Sequence, residues 1–263
     1  MKTLVFTPFG AVSQEAGVIY LVANYLKSLY PDVSQLTCNG VVSLCDRDAE
    51  NGWARSFMGC TSCAGEQRTL ARWAALETVA LSSFLNPDDI WESQRWISRL
   101  STGELLTAAF EGVRIYELCA ASVQSRFGAL APDLGNAGQE QFVRRIMLAA
   151  LRVTLASRRV HLKIRPDLTL VSGGSDFMTR SYIQQAEMQR RDVVMFRWEV
   201  GTRAVLIRRS GSSQVYHCDF IFDDVTSMRP EIESWPPEIL SSVHGALGFL
   251  GISQKQLKLA LAR

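Results

Sequence analysis

Leu4-Val5-Phe6-Thr7-Pro8-Phe9-Gly10 opens the chain with a short apolar run that breaks at a proline and a glycine. The residues that follow change period. Val18, Val22, Tyr25 and Leu29 recur at spacings of four, three and four, the apolar face of a helix, and Pro31 stops it. Ser13 is a partial cap, because Ala16 stands where a Glu would complete a capping box. Val33–Cys38 then reads as a second strand. Strand, loop, helix, strand is the beginning of a parallel sheet, since parallel neighbours need a crossover between them.

A second such unit lies in the middle of the chain. Phe142, Ile146, Ala149 and Val153 mark the buried face of a long helix that Arg165-Pro166-Asp167 ends. Leu168–Ser172 is a buried strand, Gly173-Gly174-Ser175-Asp176 a turn into a helix reaching about Arg190, and Val193–Val200 a further strand. Between the two units the pattern is helical. One helix resumes near Gly65 with Trp73, Leu76, Ala80 and Phe84 on one face. Another runs over Ile90–Leu100 after the turn Asn86-Pro87-Asp88-Asp89. A capping box at Ser101–Glu104 opens a helix through Leu105 and Ala109 that continues over Glu111–Phe127. Beyond Gly201 the segments Ala204–Arg209 and Gln214–Phe222 read as a β-hairpin, followed by helices at Glu238–Phe249 and Ser253–Leu261. The fold class expected is α/β: a doubly wound, mostly parallel Rossmann-like sheet over residues 1–201, with a hairpin and helical tail, residues 202–263, packed on it.

Composition is that of a globular chain, 47% hydrophobic and 21% charged, and no apolar run is long enough to span a bilayer. The first residues carry too short an apolar run for a signal peptide, so the expected compartment is the cytoplasm, where thiols stay reduced. The net charge of +2 and the lack of interleaved aromatics argue against a nucleic-acid partner. The charge is uneven, however. Arg144, Arg145, Arg152, Arg158, Arg159, Lys163 and Arg165 follow one another with no carboxylate between them. That stretch reads either as a solvated face or as a peripheral contact with the anionic surface of the inner membrane or a phosphorylated substrate.

Four of the six cysteines, Cys38, Cys45, Cys60 and Cys63, fall in one window with the order C-x6-C-x14-C-x2-C. In a reducing compartment clustered cysteines point to metal, here a structural zinc or else an iron–sulfur cluster, because soft thiolates select those ions. Two residues between Cys60 and Cys63 let both sulfurs meet one ion. Redox chemistry at the same pair, and four independent structural cysteines, are the alternatives. Cys119 and Cys218 read as core residues.

Pro8-Phe9-Gly10 and Gly173-Gly174-Ser175-Asp176 each end a strand where open α/β sheets bind ligands. Gly10 belongs to no G-x-G-x-x-G fingerprint, so a plain βα turn is the simpler reading there. The amides at the second turn could hold a hydroxyl or a phosphate. Glu199, at the end of an apolar strand, is a candidate base or sugar-hydroxyl acceptor, against an ion pair with Arg197, Arg180 or Arg203. His161, His217 and His244 have no metal or triad spacing.

Three blocks together resemble the N-terminal half of a bacterial surface-polysaccharide glycosyltransferase-like family, often described as capsule polysaccharide biosynthesis proteins. They are the opening unit with Cys38-Asn39-Gly40, Cys45 and Cys60-x-x-Cys63; Phe110-Glu111-Gly112-Val113 with Ser122-x-x-x-Arg126-Phe127; and Arg165–Gly174 with Arg180, Ala186 and Trp198-Glu199-Val200-Gly201. Gly173-Gly174 departs from the Asn-Gly of that pattern. The resemblance implies one half of a GT-B enzyme, the acceptor side, with a sugar nucleotide held by a donor-domain glycosyltransferase chain. It implies an acceptor cleft lined by Glu199, Arg180, Gly173 and Gly174.

Overall fold

The structure, a computed structural model, describes residues 1–9, 14–47, 57–128, 131–199, 204–219 and 231–253. Strand β1 (Thr3–Phe6), helix α1 (Gln14–Leu29) and strand β2 (Val33–Thr37) form the expected opening unit. Helix α2 (Phe57–Trp73) leads to β3 (Glu77–Ala80), and α3 (Pro87–Arg99) follows. A small hairpin, β4 (Ala109–Phe110) and β5 (Val113–Arg114), precedes α4 (Ile115–Phe127) and the long α5 (Ala137–Lys163). The second unit is β6 (Leu168–Ser172), α6 (Phe177–Met188) and β7 (Asp192–Glu199). Strands β8 (Ala204–Arg209) and β9 (Val215–Asp219) and helix α7 (Pro237–Phe249) complete it.

Seven strands make one sheet in the order β3-β2-β1-β6-β7-β8-β9. The first five are parallel, and β8 and β9 add an antiparallel edge. Read by chain order, the parallel part is the 3-2-1-4-5 of a Rossmann-like fold, so the winding reverses between β1 and β6. The C-terminal hairpin extends this sheet. Alternate residues of the strands feed two cores: Leu4, Phe6 and Val171 pack with α4, α5 and α6, whereas Val5, Leu170 and Val194 pack with α1 and α7. The two faces are covered by different helices, as period-two alternation in a doubly wound sheet requires.

Two expected helices are shorter than their apolar spacing implies. Trp73, Leu76, Ala80 and Phe84 do not share a helix. The chain leaves α2 at Ala75, whose φ is 53°, and Leu76 N–H bonds back to Ala71 O at 2.8 Å. Glu77–Ala80 is then free to pair in parallel with β2. The capping box at Ser101 and Glu104 is real but holds only a 3₁₀ turn, Thr102–Glu104. Glu111 and Gly112, with φ of 47° and 81°, make the tight turn between β4 and β5 instead of continuing a helix. The helix expected over Ser253–Leu261 lies almost wholly outside the described residues.

Four bases of the run on α5 reach neighbouring elements, while Arg145 and Lys163 are exposed. Arg159 holds Asp89 of α3, with Nη2 2.8 Å from Oδ1, and the Asp89 side chain is only 6% exposed. Arg144 bonds Glu140 and the carbonyl of Ile97, Arg152 reaches Ser93 and Arg158 pairs with Glu111. These bases brace α3 and the β4–β5 hairpin against α5, a use that periodicity alone cannot distinguish from a solvated face.

His161, fully buried on α5, packs against the Tyr182 ring at 4.6 Å between centroids, and neither ring nitrogen has a hydrogen-bond partner. Burial pushes its pKa down to about 4. A folded pKa below the unfolded one means that stability is lost as pH falls from about 6.5 towards 4. We expect His161→Leu to gain on the wild type by roughly 3 kcal/mol between pH 7 and pH 4, read from denaturant unfolding at both pH values. A constant difference across that range would contradict a neutral buried imidazole.

Candidate functional site

Cys38-Asn39-Gly40 leaves the end of β2 in a tight turn. Asn39 and Gly40 both have positive φ, 47° and 75°, and Val41 N–H closes on Cys38 O at 3.3 Å. Asparagine and glycine are the residues that tolerate this conformation, which accounts for the pair. The turn directs the chain over the C-terminal ends of the strands, where Leu44 is buried and Cys45, Asp46 and Arg47 are half-buried.

These three consecutive residues fasten the loop in three directions. Cys45 joins Cys38, Cys60 and Cys63 in the lining of a cleft of about 620 Å³. Arg47 turns to α2, bonding both oxygens of Glu66 at 3.1 and 3.3 Å and donating to the Cys63 sulfur. Asp46 crosses to α6, where it meets the Phe177 amide near Ser122 of α4. Gln67, 1% exposed, also lines the cleft and donates to the carbonyl of Thr7 at 2.7 Å, docking α2 on the end of β1.

Two carboxyl groups meet the start of α6. Asp176 is its N-cap, accepting from the Thr179 amide at 2.9 Å and the Thr179 hydroxyl at 2.6 Å. Asp46 occupies the Phe177 amide beside it. Two carboxyl groups from distant parts of the chain thus share the amides at the start of α6. Burial, with Asp176 as a second carboxylate nearby, pushes Asp46 up to about 7, and burial also pushes Asp176 up. Asp46 Oδ2 is buried and has no partner. Nothing local in the sequence marks Asp46, since its partners are more than seventy residues away.

The glycine turn serves packing. Gly173 and Gly174 have φ of 85° and 112°, Gly173 N–H bonds Phe196 O at 2.8 Å, and a Cβ on Gly174 would lie 3.0 Å from Met195 Sδ. The Gly173 amide is thus engaged within the sheet. Arg180 is exposed on α6, and Glu199 at the end of β7 lies 3.9 Å from His217 Nδ1. Neither they nor Gly173 and Gly174 line the cleft. Gly10 and Gly201 lie outside the described residues.

All four clustered cysteines line one cleft as half-buried thiols outside any disulfide. Their arrangement is more open than a closed tetrahedral site. Among the described residues no group of three or more Cys, His, Asp or Glu is placed to hold a metal ion. The donors suit zinc or an iron–sulfur cluster chemically, yet they stand around a space far larger than one ion. Burial pushes the Cys38 thiol up, and the nearby Cys63 and Cys60 add to that.

Comparison with known proteins gives no match to this chain among family models, curated proteins or solved structures.

A carboxyl with a folded pKa above its unfolded value stabilises below the unfolded pKa, and that contribution is lost as pH rises to the folded one. For Asp46 the window runs from about 4 to about 7. Asp46→Asn, neutral throughout, is therefore expected to match the wild type near pH 4 and exceed it at pH 8 by roughly 1–3 kcal/mol, after allowance for partial exposure. Unfolding curves at the two pH values check this, and a variant less stable at pH 8 would show that the charged carboxylate is the favoured form.

Proposed function

We propose that this chain acts in bacterial surface-polysaccharide assembly as the acceptor-side half of a glycosyltransferase-like pair, with the sugar-nucleotide half supplied by another chain. The observation that carries the reading is the cleft of about 620 Å³ at the C-terminal ends of β1 and β2, beside the point where the winding reverses. Open α/β sheets hold their ligands there, and the volume suits a small glycan segment. The resemblance of the cysteine loop and of Arg165–Gly174 to surface-polysaccharide proteins points to the same pathway.

In this reading the chain binds and orients an acceptor. Glu199, at the end of β7 beside His217, does not line the cysteine cleft and has no assigned part in it. Asn39, exposed where it lines the cleft, is the amide side chain suited to bonding sugar hydroxyls.

Ser43 is exposed and lines the cleft, so Ser43→Trp fills the space without disturbing the core. We expect a deletion strain to lose surface glycan, wild-type protein to restore it, and Ser43→Trp to fail at an unchanged melting temperature. Normal surface glycan in the deletion strain would sink the reading. Tight calorimetric binding of a sugar nucleotide by the isolated chain would overturn the acceptor-side assignment.

A further inference from the structure

We propose that Cys60 and Cys63 form a redox-active dithiol that exchanges with low-molecular-weight disulfides entering the cleft. The two residues lie on α2, three positions apart, and both line the same cavity as Cys38 and Cys45, with none of the four in a disulfide. Residues so spaced on a helix are neighbours, with Cβ atoms about 5–6 Å apart. A disulfide needs about 3.5–4.5 Å, so closure asks the first turns of α2 to tighten by only 1–2 Å or so. The cleft has room for a small disulfide beside the pair. The open stance of the four sulfurs supports exchange, because a closed tetrahedral metal site would leave none of them accessible.

The chemistry balances without any further reagent. A thiolate of one cysteine attacks a sulfur of the small disulfide R–S–S–R, forming a mixed disulfide and expelling one thiolate RS⁻. The second cysteine, as thiolate, attacks the protein sulfur of that mixed bond and expels the second RS⁻. Two protein thiols are oxidised by two electrons, the small disulfide is reduced to two thiols, and the two protons pass through solvent. Cys63 also accepts from Arg47, which is bonded to Glu66 and adjoins Asp46. Oxidation at Cys63 therefore acts on the same loop that covers the strand ends. The proposal does not rest on the glycan reading.

The test uses the whole reduced chain equilibrated with glutathione disulfide and glutathione at graded ratios, then alkylated and mapped by mass spectrometry. The expected result is one disulfide joining Cys60 and Cys63, a loss of about 2 Da reached in a single step. Cys119 and Cys218, both buried, stay reduced and serve as internal controls. Cys60→Ser is expected to retain one glutathione on Cys63. Three results would overturn the proposal: a pair that stays reduced at every ratio, oxidation scattered over Cys38 and Cys45 as readily, or one zinc per chain that protects all four thiols. None of them bears on the surface-glycan phenotype, so the two readings fail separately.

Discussion

The first turn of α6 must find acceptors for amides that no helix can satisfy internally, and it finds two carboxylates. Asp176 is local and caps the helix from its own turn. Asp46 arrives from the loop after β2 and so ties the first βα unit of the sheet to the second. Because Asp46 sits between Cys45 and Arg47, the same short segment sets the position of the cysteine cleft and of α2. The energetic tension is plain: two acidic groups share one helix end, and burial makes the charged form of each less favourable. Such an arrangement holds the loop to the start of α6 with hydrogen bonds.

A second constraint comes from the long return between β3 and β6. The chain spends α3, the small hairpin, α4 and α5 on one face of the sheet before re-entering beside β1. Apolar packing alone would leave α3 and the hairpin loosely placed on the outside of α5. The arginines of α5 fix them by bonds with defined geometry, above all Arg159 to the buried Asp89, which is also the N3 partner in the capping box of α3. One side chain thus serves both the start of α3 and its docking.

The parts of the fold legible in the sequence are those whose signals are local. Val18, Val22, Tyr25 and Leu29 declare α1, and Leu168–Ser172 between Pro166 and Gly173 declares β6. The β3 edge strand was hidden because Leu76, Ala80 and Phe84 keep helical spacing across a break at Ala75 that only a positive φ reveals. The hairpin at Glu111-Gly112 was hidden by apolar neighbours of similar spacing. For the site, the cysteine count foretells proximity, since Cys38, Cys45, Cys60 and Cys63 do share a cleft. It does not foretell their spacing around the cleft, which depends on where Arg47 and Gln67 fasten α2 to the loop and to the end of β1. Asp46 was illegible because a single loop carboxylate acquires meaning only from Ser122, Asp176 and Phe177, brought to it by tertiary packing.

The placement of β1 between β2 and β6 has a bearing on how the chain is made. Thr3 pairs across one edge with Val33 and across the other with Leu168. The first partner follows β1 almost at once, but the second lies 165 residues further along, as the bond from Lys2 to Asp167 measures. At ribosomal rates of about 5–20 residues per second, that interval is on the order of ten to thirty seconds. Throughout it the most buried strand of the finished sheet presents an open, apolar edge. A nascent chain of this topology is therefore a natural client for ribosome-associated chaperones, and its yield in a cell depends on how well that edge is shielded until β6 emerges.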